Sequence, residues 1–328
     1  MVFSILPSTT PVGVLIPVFD DWTAVELVLR GLDRVAEKYA PMLAVIVDDA
    51  STLEPGAGFC ADPFHSLTDV VRVRLRRNLG HQRAIAVGLV YVYQTYPGAL
   101  TVVMDGDGED RPEDIPALLS KLDAEGGRKI IFAERARRTE RALFKLFYIL
   151  YKLLHRALTG IAVRVGNFSV VPYSCLSSLV VSSEIWNHYA AAVFNARLAH
   201  ESLPLPRGRR LAGKSKMNVT SLVTHGLSAI SVYGDRVGVR LLGVSGVTIV
   251  LLMIAVIVMF AARQHTPAAT AYFIGLLILL LVQVVGMSLA FVFLTLRGRS
   301  GALFLPIRDC PCFIGEVTCL ASRGDVSG

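Results

Sequence analysis

Two long uncharged runs of apolar residues near the C-terminus limit the possible folds of this 328-residue chain more than any other feature. Residues 241–262 hold no charged side chain, and residues 272–296 form a second such run whose most polar member is Gln283. Each run is long enough to cross a hydrocarbon layer of about 30 Å as a helix, and core helices of soluble proteins seldom continue this far without a charge. The sequence therefore predicts two membrane-spanning helices.

The segment between the two runs, RQHTPAAT at 263–270, is short enough to make them a hairpin with both outer ends on one side of the membrane. Arginines flank both outer ends, whereas the connector holds only Arg263. Because positively charged loops stay in the cytoplasm, we expect the large N-terminal part and the tail to be cytoplasmic, at an inner (plasma) membrane crossed more than once. Residues 1–13 have neither a basic start nor a long apolar core, so we expect no signal peptide.

The first 130 residues alternate between strand-like and helix-like patterns. Apolar runs predict strands at 12–19, 43–51 and 99–105, and the alternation of apolar and basic residues predicts a strand with one wet face at 70–75. Apolar residues at helical spacing predict helices at 22–39 and 81–96. Elements in this order are typical of an α/β layer. We therefore predict an α/β fold with a Rossmann-like, mainly parallel sheet and flanking helices.

Acidic residues collect at the ends of three of these predicted strands, although the chain has a formal net charge of +7. They are Asp20 and Asp21, Asp48 and Asp49, and Asp105 and Asp107. Ligands of parallel sheets bind beyond the carboxyl ends of the strands, so the acids should meet at one mouth. A divalent cation would relieve their repulsion, and carboxylates suit Mg²⁺ or Mn²⁺, which can carry a diphosphate. The alternative is a solvated acidic turn that caps a helix beginning near Pro112.

Two common classes of nucleotide-binding protein are not indicated. The sequence GDG at 106–108 is not the GxGxxG of a dinucleotide-binding dehydrogenase, and the chain contains no P-loop motif. A bound diphosphate would therefore depend chiefly on a metal ion and on basic side chains.

Five stretches of the sequence, taken in order, resemble one known family. They are IPVFDD, VDDAS, RNLGHQRAIAVGL, VVMDGDGEDRPEDIPALL and RGRRLAGKSK, and the predicted membrane hairpin follows them. Together they resemble the family 2 glycosyltransferases of the GT-A fold. The resemblance covers about residues 12–296 and is closer to the polyprenyl-phosphate glycosyltransferases, such as dolichol-phosphate mannose synthase and the bacterial undecaprenyl-phosphate glucosyltransferases.

The resemblance implies roles for the acids at the strand ends. The donor-binding residues would be Pro17, Phe19, Asp20, Asp48, Asp49 and Asp105. The catalytic group would contain Asp105 and Asp107, with Arg135 facing phosphate. Asp107 and Glu109 would hold Mg²⁺ or Mn²⁺; Glu109 stands where the family commonly has glutamine, and a carboxylate there should still bind the metal. Asp110 could act as a base, although an acceptor whose oxygen is already anionic does not require one.

A basic stretch upstream of the hairpin would bind the acceptor. Arg210, Ser215 and Lys216 match the R-x-x-G-x-S-K segment of the family, and Arg207 lies beside them. Arginine binds phosphate through a bidentate fork, so we predict that Arg210 contacts the acceptor phosphate rather than the donor. The alternative partner is the anionic surface of the bilayer. Nucleic acid is not indicated, because no aromatic residues interleave with the basic ones.

One segment departs from the family pattern. The family sequence G-D-F-R reads Gly166, Asn167, Phe168 and Ser169 here, so one acid and one base are absent together. In the family these two residues either pair with each other or read the sugar or the lipid phosphate. The identity of the donor sugar is therefore left open.

The predicted organisation has four parts. Residues 1–216 would form the cytoplasmic GT-A domain, 217–240 a juxtamembrane helix, 241–296 the transmembrane hairpin and 297–328 a cytoplasmic tail. Within the first part, 141–158 has an apolar stripe flanked by basic residues, which is typical of a helix in the membrane interface or of a helix covering the sheet. The tail holds three of the five cysteines and no histidine, so we expect incidental thiols rather than a metal site.

The residues and the resemblance together predict a membrane-anchored, metal-dependent hexosyltransferase, and the resemblance implies that it inverts the anomeric carbon. It would move a sugar from a UDP- or GDP-sugar to a polyprenyl phosphate, with undecaprenyl phosphate as the expected acceptor. Membrane lipid and a second copy of the chain, packed through the hairpin, would be further partners. The alternatives are a processive polysaccharide synthase, whose Q-x-x-R-W motif the sequence lacks, and a non-catalytic nucleotide-sugar-binding protein, against which the intact Asp105 and Asp107 argue. A small transporter is not favoured, because neither span contains an ionisable residue.

Overall fold

The computed structural model of the protein describes residues 10–39, 41–135, 152–161, 165–213, 219–261, 267–301 and 304–322. The chain divides into two compact units. The larger unit comprises the described residues of Met1–Arg141, Arg164–Val232 and Phe304–Gly328, and the smaller unit those of Ala142–Val163 and Tyr233–Leu303. The larger unit contains the β-sheet, and the described residues of the smaller unit are mainly helical.

The larger unit is built on one mixed sheet of eight strands. They are β1 (Val12–Val18), β2 (Met42–Asp48), β3 (Leu67–Leu75), β4 (Leu100–Val103), β5 (Ile130–Arg135), β6 (Ser169–Val171), β7 (His200–Leu205) and β8 (Ile314–Ser322), in the spatial order β7-β5-β6-β4-β1-β2-β3-β8. Neighbours pair in parallel from β4 through β3 and between β5 and β7, whereas β6 and β8 run antiparallel to their neighbours. The predicted α/β class with a mainly parallel sheet is confirmed.

The α-helices of the larger unit are α1 (Trp22–Ala36), α2 (His81–Thr95), α3 (Ile115–Ala124), α5 (Tyr173–Leu179), α6 (Tyr189–Asn195), α7 (Val219–Ser231) and α10 (Pro306–Asp309). Residues of α1 and α3 pack in the core on one face of the sheet, and residues of α2, α5 and α6 pack in the core on the other face. The smaller unit holds α4 (152–159), α8 (Gly234–Ala261) and α9 (Pro267–Gly301). The predicted helices 22–39 and 81–96 are confirmed, although α1 ends at Ala36 and leaves Tyr39 outside it, 43% exposed.

The central strands are buried on both faces, which explains why their sequences are continuously apolar. Along β1, Val14 and Ile16 pack into the core under α1 and α3, whereas Leu15 packs into the core under α2. Strand β3 alternates instead: Val73 is fully buried, while Arg72 and Arg74 keep partial exposure. This difference agrees with the one wet face that the alternation at 70–75 predicts.

The tail adds a strand that the sequence analysis does not predict. Strand β8 pairs antiparallel with the outer side of β3. Its side chains are mostly exposed, so its sequence carries little apolar pattern. The segment before it is anchored by Trp186, whose ring lies 4.4 Å from that of Phe304 and 5.1 Å from that of Phe313. Of the tail cysteines, Cys310 is buried, and Cys312 and Cys319 are exposed.

The smaller unit contains the two apolar helices that the sequence predicts. The stretches Gly234–Val258 and Ala271–Val292 are long and apolar enough to cross a membrane, with mean hydropathies of 2.8 and 2.5. The hydroxyls of Ser245 and Ser288 lie 2.8 Å apart where the two helices pack together, and most of each apolar stretch is left unburied. Helix α9 begins at Pro267, so part of the predicted connector is helical.

The amphipathic stretch predicted at 141–158 lies mostly outside the described residues. Its described part, from residue 152, is helical and forms α4. Leu153 and Leu154 are 62% and 50% exposed, whereas His155 is buried. The guanidinium of Arg240 donates to the carbonyl oxygens of Arg156 (3.1 Å) and Ala157 (2.6 Å), which satisfies backbone acceptors at the end of α4.

The turn that leads into β3 is held by Asp33 of α1. Its carboxylate accepts hydrogen bonds from the backbone N–H groups of His65 (3.1 Å), Ser66 (2.7 Å) and Leu67 (2.9 Å). Burial alone would raise the pKa of Asp33, but these donors outweigh it and hold the pKa below its ordinary value.

Replacing Asp33 with alanine should lower the free energy of unfolding by about 1–3 kcal/mol at about pH 7, because three N–H groups lose a charged acceptor. The pKa of Asp33 is lower in the folded than in the unfolded chain, so its contribution is present above the unfolded-state pKa of about 3.9 and is lost as the pH falls through and below that value. Thermal unfolding of the full chain in detergent at about pH 7 and about pH 3 should show the difference shrinking in acid. Asp62→Ala, at an exposed aspartate, is the control; a difference independent of pH would contradict this role of Asp33.

Candidate functional site

The carboxyl ends of three adjacent strands carry the acids that the sequence singles out. Strand β1 is hydrogen-bonded in parallel register to β2 on one side and to β4 on the other. Asp20 lies two residues after β1, Asp48 ends β2, and Asp105 lies two residues after β4. The structure therefore brings the three strand ends to one edge of the sheet, as the sequence predicts.

Asp20 ties the loop after β1 to the loop after β2. Its carboxylate accepts hydrogen bonds from the Thr52 hydroxyl (2.9 Å) and the Leu53 backbone N–H (2.8 Å), and its own backbone has a φ of 52°. Pro17 is buried within β1, whereas the Phe19 side chain is 37% exposed. Among these three predicted donor-binding residues, Phe19 offers the most open side chain to a ligand.

Asp48 is fully buried and ion-paired. Its Oδ2 lies 2.5 Å from Nη2 and 3.0 Å from Nε of Arg72, so one carboxylate oxygen accepts from two nitrogens of the guanidinium. The Arg72 guanidinium also stacks 4.9 Å from the centre of the Trp22 ring, and Trp22 donates its indole N–H to the Leu53 carbonyl at 2.7 Å. A buried charge is stable only when it is paired in this way. The predicted role of Asp48 in donor binding stays a prediction, and Arg72 is the partner that sequence analysis missed.

Asp49 anchors the start of α2. Its carboxylate accepts hydrogen bonds from the backbone N–H groups of Leu79 (2.6 Å) and Gly80 (2.8 Å). Burial raises the pKa of Asp49, and these two donors offset part of the increase. Its predicted role toward the donor is also untested by this arrangement.

The residues from Asp105 to Asp110 form a tight turn, which we call the acidic loop. Asp105 Oδ1 lies 3.2 Å from Nε2 of His81, and the Asp105 backbone N–H donates to the Asp110 carboxylate at 2.9 Å. Asp110 is 2% exposed, so it braces the loop rather than presenting an open base. Asp107 accepts a hydrogen bond from the Glu109 backbone N–H at 2.9 Å.

A second loop lies directly on the acidic loop. Residues 207–211, the basic segment, donate backbone N–H bonds from Gly208 to the Glu109 carbonyl (2.8 Å) and from Leu211 to the Asp107 carbonyl (3.0 Å). The contact is close enough to need glycine, since a Cβ on Gly108 would lie 2.3 Å from the Leu211 side chain. Backbone hydrogen bonds and close backbone packing therefore hold the two loops together, in addition to any ion pairs between their side chains.

The side chains of the basic segment pair with the acids that sequence analysis assigns to the metal. Arg207 forms an ion pair with Glu109. Arg210 lies 3.0 Å from Asp107 Oδ2 and also forms an ion pair with Asp21. Residues predicted for the acceptor and residues predicted for the metal are thus in direct contact, an arrangement that the sequence order does not reveal.

The acidic loop has the chemistry of a site for a divalent cation. Burial raises the pKa of Asp107, and the neighbouring Asp105 and Glu109 carboxylates add to the increase. A hard cation would relieve that repulsion, so the oxygen donors fit Mg²⁺ or Mn²⁺. Among the residues that the structure describes, no group of three or more histidine, cysteine or acidic side chains is arranged to hold a metal alone.

The segment RNLGHQ supplies two residues to which the sequence analysis assigns no role. Gln82 accepts a hydrogen bond from the Tyr189 backbone N–H (2.7 Å) and donates to Asn167 Oδ1 (3.2 Å), whose amide nitrogen lies 3.1 Å from His81 Nε2. The chain of contacts continues from His81 to Asp105. Partial desolvation would lower the pKa of His81, but the Asp105 charge outweighs it and raises the pKa. The RNLGHQ motif, which the family resemblance includes, was the signal from which the sequence could have indicated His81 and Gln82.

Asn167 and Ser169, the two residues that depart from the family pattern, make hydrogen-bond contacts with members of this network or with Tyr189 beside it. Asn167, in place of the family's aspartate, bridges Gln82 and His81 through a neutral amide. Ser169, in place of the arginine, is fully buried, with its hydroxyl 2.7 Å from that of Tyr189. Two neutral residues therefore occupy positions where the family carries an acid and a base.

Three predicted site residues have side chains outside the described part of the chain. Arg135 is the last residue of β5, and only its backbone is described. Ser215 and Lys216 lie in the stretch 214–218, which is outside the described residues. Their predicted roles stay predictions.

Sequence comparison places this geometry among known proteins. Residues 13–172 match the family described as Glycosyl transferase family 2. The undecaprenyl-phosphate 4-deoxy-4-formamido-L-arabinose transferase of Edwardsiella ictaluri (strain 93-146) is 26% identical, with 96% of this chain and 96% of that protein covered. The protein of the same name from Enterobacter sp. (strain 638) is 24% identical, with 96% of this chain and 95% of that protein covered.

Two of the solved structures similar to this chain are of one mycobacterial enzyme. Glucosyl-3-phosphoglycerate synthase from Mycobacterium tuberculosis, crystallised with Mn²⁺, UDP-glucose and phosphoglyceric acid, has a TM-score of 0.50 at 16% identity, covering 70% of this chain and 80% of that chain. A second structure of that enzyme, with Mn²⁺, UDP and phosphoglyceric acid, also has a TM-score of 0.50, at 14% identity, and covers 70% and 79%. The likeness shows the fold, which is the predicted GT-A fold.

Gly108→Ala should release the basic segment from the acidic loop. Gly108 has a φ of +85°, which costs an alanine about 1–2 kcal/mol, and overlap of the new methyl group with Leu211 should cost a further 1–3 kcal/mol or so. Trypsin cleaves after arginine, so cleavage within the basic segment should accelerate. The measurement is limited proteolysis with mass spectrometry, alongside thermal unfolding.

Gly126→Ala is the matched control, because Gly126 has a φ of +81° and open space around its Cβ position. It should show the backbone cost without faster cleavage in the basic segment. The double variant Gly108→Ala with Leu211→Ala removes the overlap and should recover part of the protection. Equal cleavage rates in the two glycine variants would show that the loops are not held together by this contact.

Proposed function

Residues 13–172 are a glycosyl transferase family 2 domain, and from this premise we propose that the chain moves a sugar from a nucleoside diphosphate to a polyprenyl phosphate, with undecaprenyl phosphate as the acceptor. The relatives from Edwardsiella ictaluri and Enterobacter, which match nearly the whole chain, are named for undecaprenyl phosphate. The structural neighbour from Mycobacterium tuberculosis binds UDP-glucose and Mn²⁺, which supports a nucleotide-sugar donor and a divalent cation. The product would be a lipid-linked sugar.

The observation that carries the proposal is the contact between the basic segment and the acidic loop. Both substrates are anionic, so the site must hold two phosphate groups close together against their repulsion. Arg207 is ion-paired with Glu109, and Arg210 is ion-paired with Asp107. Cationic side chains and metal-binding carboxylates therefore share one mouth, where a donor diphosphate and an acceptor phosphate can meet.

The donor side would use the acidic loop. Asp107 and Glu109 would hold the cation, which when bound neutralises charge on the departing nucleoside diphosphate. Asp105, fixed by His81, borders the same site, and Asp20, Asp48 and Asp49 shape the neighbouring loops. These residues act mainly by binding and orientation.

The acceptor side would use the basic segment and the residues that follow it. The phosphate oxygen of a polyprenyl phosphate is already anionic, so it can attack without a strong base, and the family resemblance implies inversion at the anomeric carbon. Arg210, with Ser215 and Lys216, would orient that phosphate. Arg135 would offset charge on either phosphate.

The smaller unit would anchor the protein to the membrane that contains its acceptor. Its two apolar helices suit a multi-pass arrangement, with the larger unit and the tail on the cytoplasmic face of the inner membrane. Exposed apolar side chains such as Val247 (61%) and Ile257 (64%) would face lipid. The same surface could pair two copies of the chain through their hairpins.

Purified full-length protein in detergent should transfer label to undecaprenyl phosphate from one of a panel of donors. The panel contains UDP-glucose, GDP-mannose, UDP-GlcNAc and a nucleotide-linked 4-deoxy-4-formamido-L-arabinose, the sugar named in the relatives. Asp107→Asn should lower the rate by about a hundredfold or more, because a charged group at the reacting diphosphate is lost. The measurement is label in the organic phase after extraction.

Glu113→Gln is the matched control, since Glu113 belongs to the same acid-rich stretch but is exposed. It should keep the wild-type rate. EDTA should stop the reaction, and added Mg²⁺ or Mn²⁺ should restore it. Nucleotide binding without transfer from any donor would favour the non-catalytic binding protein, and near wild-type, metal-dependent turnover by Asp107→Asn would remove Asp107 from the site.

Arg210→Ala should lower the efficiency of acceptor use by about ten- to a hundredfold, because a charge-assisted contact with the lipid phosphate is lost. Arg210→Lys should recover only part, since lysine lacks the planar fork. At a saturating concentration of divalent cation, the affinity for the nucleoside diphosphate should change little. The two measurements are rate against undecaprenyl phosphate concentration and calorimetric titration with UDP or GDP.

Arg209→Ala is the control for this comparison, because Arg209 is an exposed arginine in the same segment. It should leave both measurements near wild type. If Arg210→Ala instead loses nucleotide affinity and keeps its acceptor dependence, Arg210 belongs to the donor side, where its contact with Asp107 already lies.

A further inference from the structure

Arg210 is held by acceptors from three segments of the larger unit. Its Nη1 lies 3.0 Å from Asp107 Oδ2, its Nε donates to the Ala212 carbonyl at 3.0 Å, and its Nη2 forms an ion pair with Asp21. Asp107 belongs to the acidic loop and Asp21 to the turn before α1. One guanidinium therefore bridges a carboxylate assigned to the cation and a carboxylate to which no role has been given.

The bridge sets up a competition at Asp107. Arg210 and a divalent cation are both attracted to the same Asp107 carboxylate, and two positive charges placed on it repel each other. A cation that binds Asp107 therefore weakens the pair between Asp107 and Arg210. The fate of Arg210 then depends on its other carboxylate partner.

We propose that Asp21 is a positioning residue that keeps Arg210 at the mouth when Asp107 binds the divalent cation. The inference rests on the proposed function, because it concerns the cation and the acceptor phosphate of that reaction. With Asp21 in place, Arg210 gives up one carboxylate and keeps the other. The guanidinium then stays beside the acceptor phosphate instead of turning into solvent.

The surroundings of Asp21 suit this role. Asp21 is the N-cap residue of α1, and its backbone carbonyl accepts the Val25 N–H at 3.1 Å, but its side chain makes no capping hydrogen bond to the helix. The carboxylate is therefore directed to Arg210 while the backbone is held by the helix. The chain that follows the basic segment also lies close to Asp21. A Cβ at Gly213 would lie 3.5 Å from Asp21 Oδ1, and Gly213 has a φ of +69°.

The competition predicts how each residue affects cation affinity. Without Asp21, Arg210 would rely on Asp107 as its carboxylate partner, so their pair would tighten and the cation would bind more weakly. Without Arg210, the competitor is gone, so the cation should bind more tightly. Without both, Asp21 has no arginine to hold, so its loss should have little further effect.

The experiment is a Mn²⁺ titration of the full chain in detergent, followed through the electron paramagnetic resonance signal of free Mn²⁺. Asp21→Asn should weaken Mn²⁺ binding about three- to tenfold, the size of coupling expected between contacting side chains. Arg210→Ala should strengthen it, and Asp21→Asn in the Arg210→Ala background should change it by less than about twofold. Asp21→Glu keeps the carboxylate and should lie near wild type.

If Asp21 acted through its negative charge alone, the double-mutant cycle of Asp21 and Arg210 would give a different result. If Asp21 acts only as a distant negative charge, Asp21→Asn weakens Mn²⁺ binding equally with and without Arg210, and this additivity would overturn the proposal. Asp21→Ser, a neutral residue favoured at the start of helices, takes the place of Asp21→Asn if that variant does not fold. A rise in the KM for undecaprenyl phosphate with little change in kcat is also expected for Asp21→Asn, and an unchanged KM would contradict the proposal.

The outcomes separate this inference from the function on which it rests. An additive cycle in a protein that still transfers sugar overturns the role of Asp21 and leaves the function standing. A coupled cycle in a protein that transfers no sugar supports the role of Asp21 in Mn²⁺ binding and overturns the function. If the wild-type chain binds no Mn²⁺, both the metal dependence and the role of Asp21 are wrong.

Discussion

Repulsion between carboxylates is the constraint on which the site depends. Parallel pairing of β4, β1 and β2 brings three carboxyl ends together, and an acid follows each of them. The structure gives each acid a partner of opposite polarity, and the partners come from distant parts of the chain. Asp48 is paired with an arginine of β3, Asp49 with the backbone at the start of α2, and Asp107 with Arg210. These pairings determine the paths of the surrounding loops.

The same pairings explain how a basic protein can handle two anionic substrates. Under the proposed function, the neighbouring carboxylates of the acidic loop would bind the cation, and the basic segment would bind phosphate through arginines that lie beside those carboxylates. Before substrates bind, each set of charges neutralises the other. In the proposed reaction the arginines would exchange carboxylate for phosphate while the backbone of the basic segment stays tied by the N–H groups of Gly208 and Leu211. The glycine at 108 is the steric condition for that closeness.

Much of the fold could be predicted because its signals are local. The apolar runs of β1 and β2 predict strands, as does the alternation of apolar and basic residues in β3. The helical spacing of apolar residues in α1 and α2 predicts helices. Strand β8 escaped prediction because its side chains are mostly exposed and its pairing with β3 depends on a partner far away in sequence. The start of α9 was placed too late, because Pro267 opens the helix within a segment whose small polar residues are typical of a loop.

For the site, the sequence by itself determined which residues are available: acids at three strand ends, a basic stretch before an apolar hairpin, and the neutral pair Asn167 and Ser169 where the family has charges. Periodicity and motif spacing carry that information, since both are properties of neighbouring residues. Only the tertiary structure decided which residues meet. The pairing of Arg210 with Asp107 and Asp21, and the network from Gln82 through Asn167 to His81, join positions far apart in the chain. Such contacts depend on the paths of loops between elements, and those paths are set by packing and by the need to pair buried charge, neither of which is visible in a local pattern.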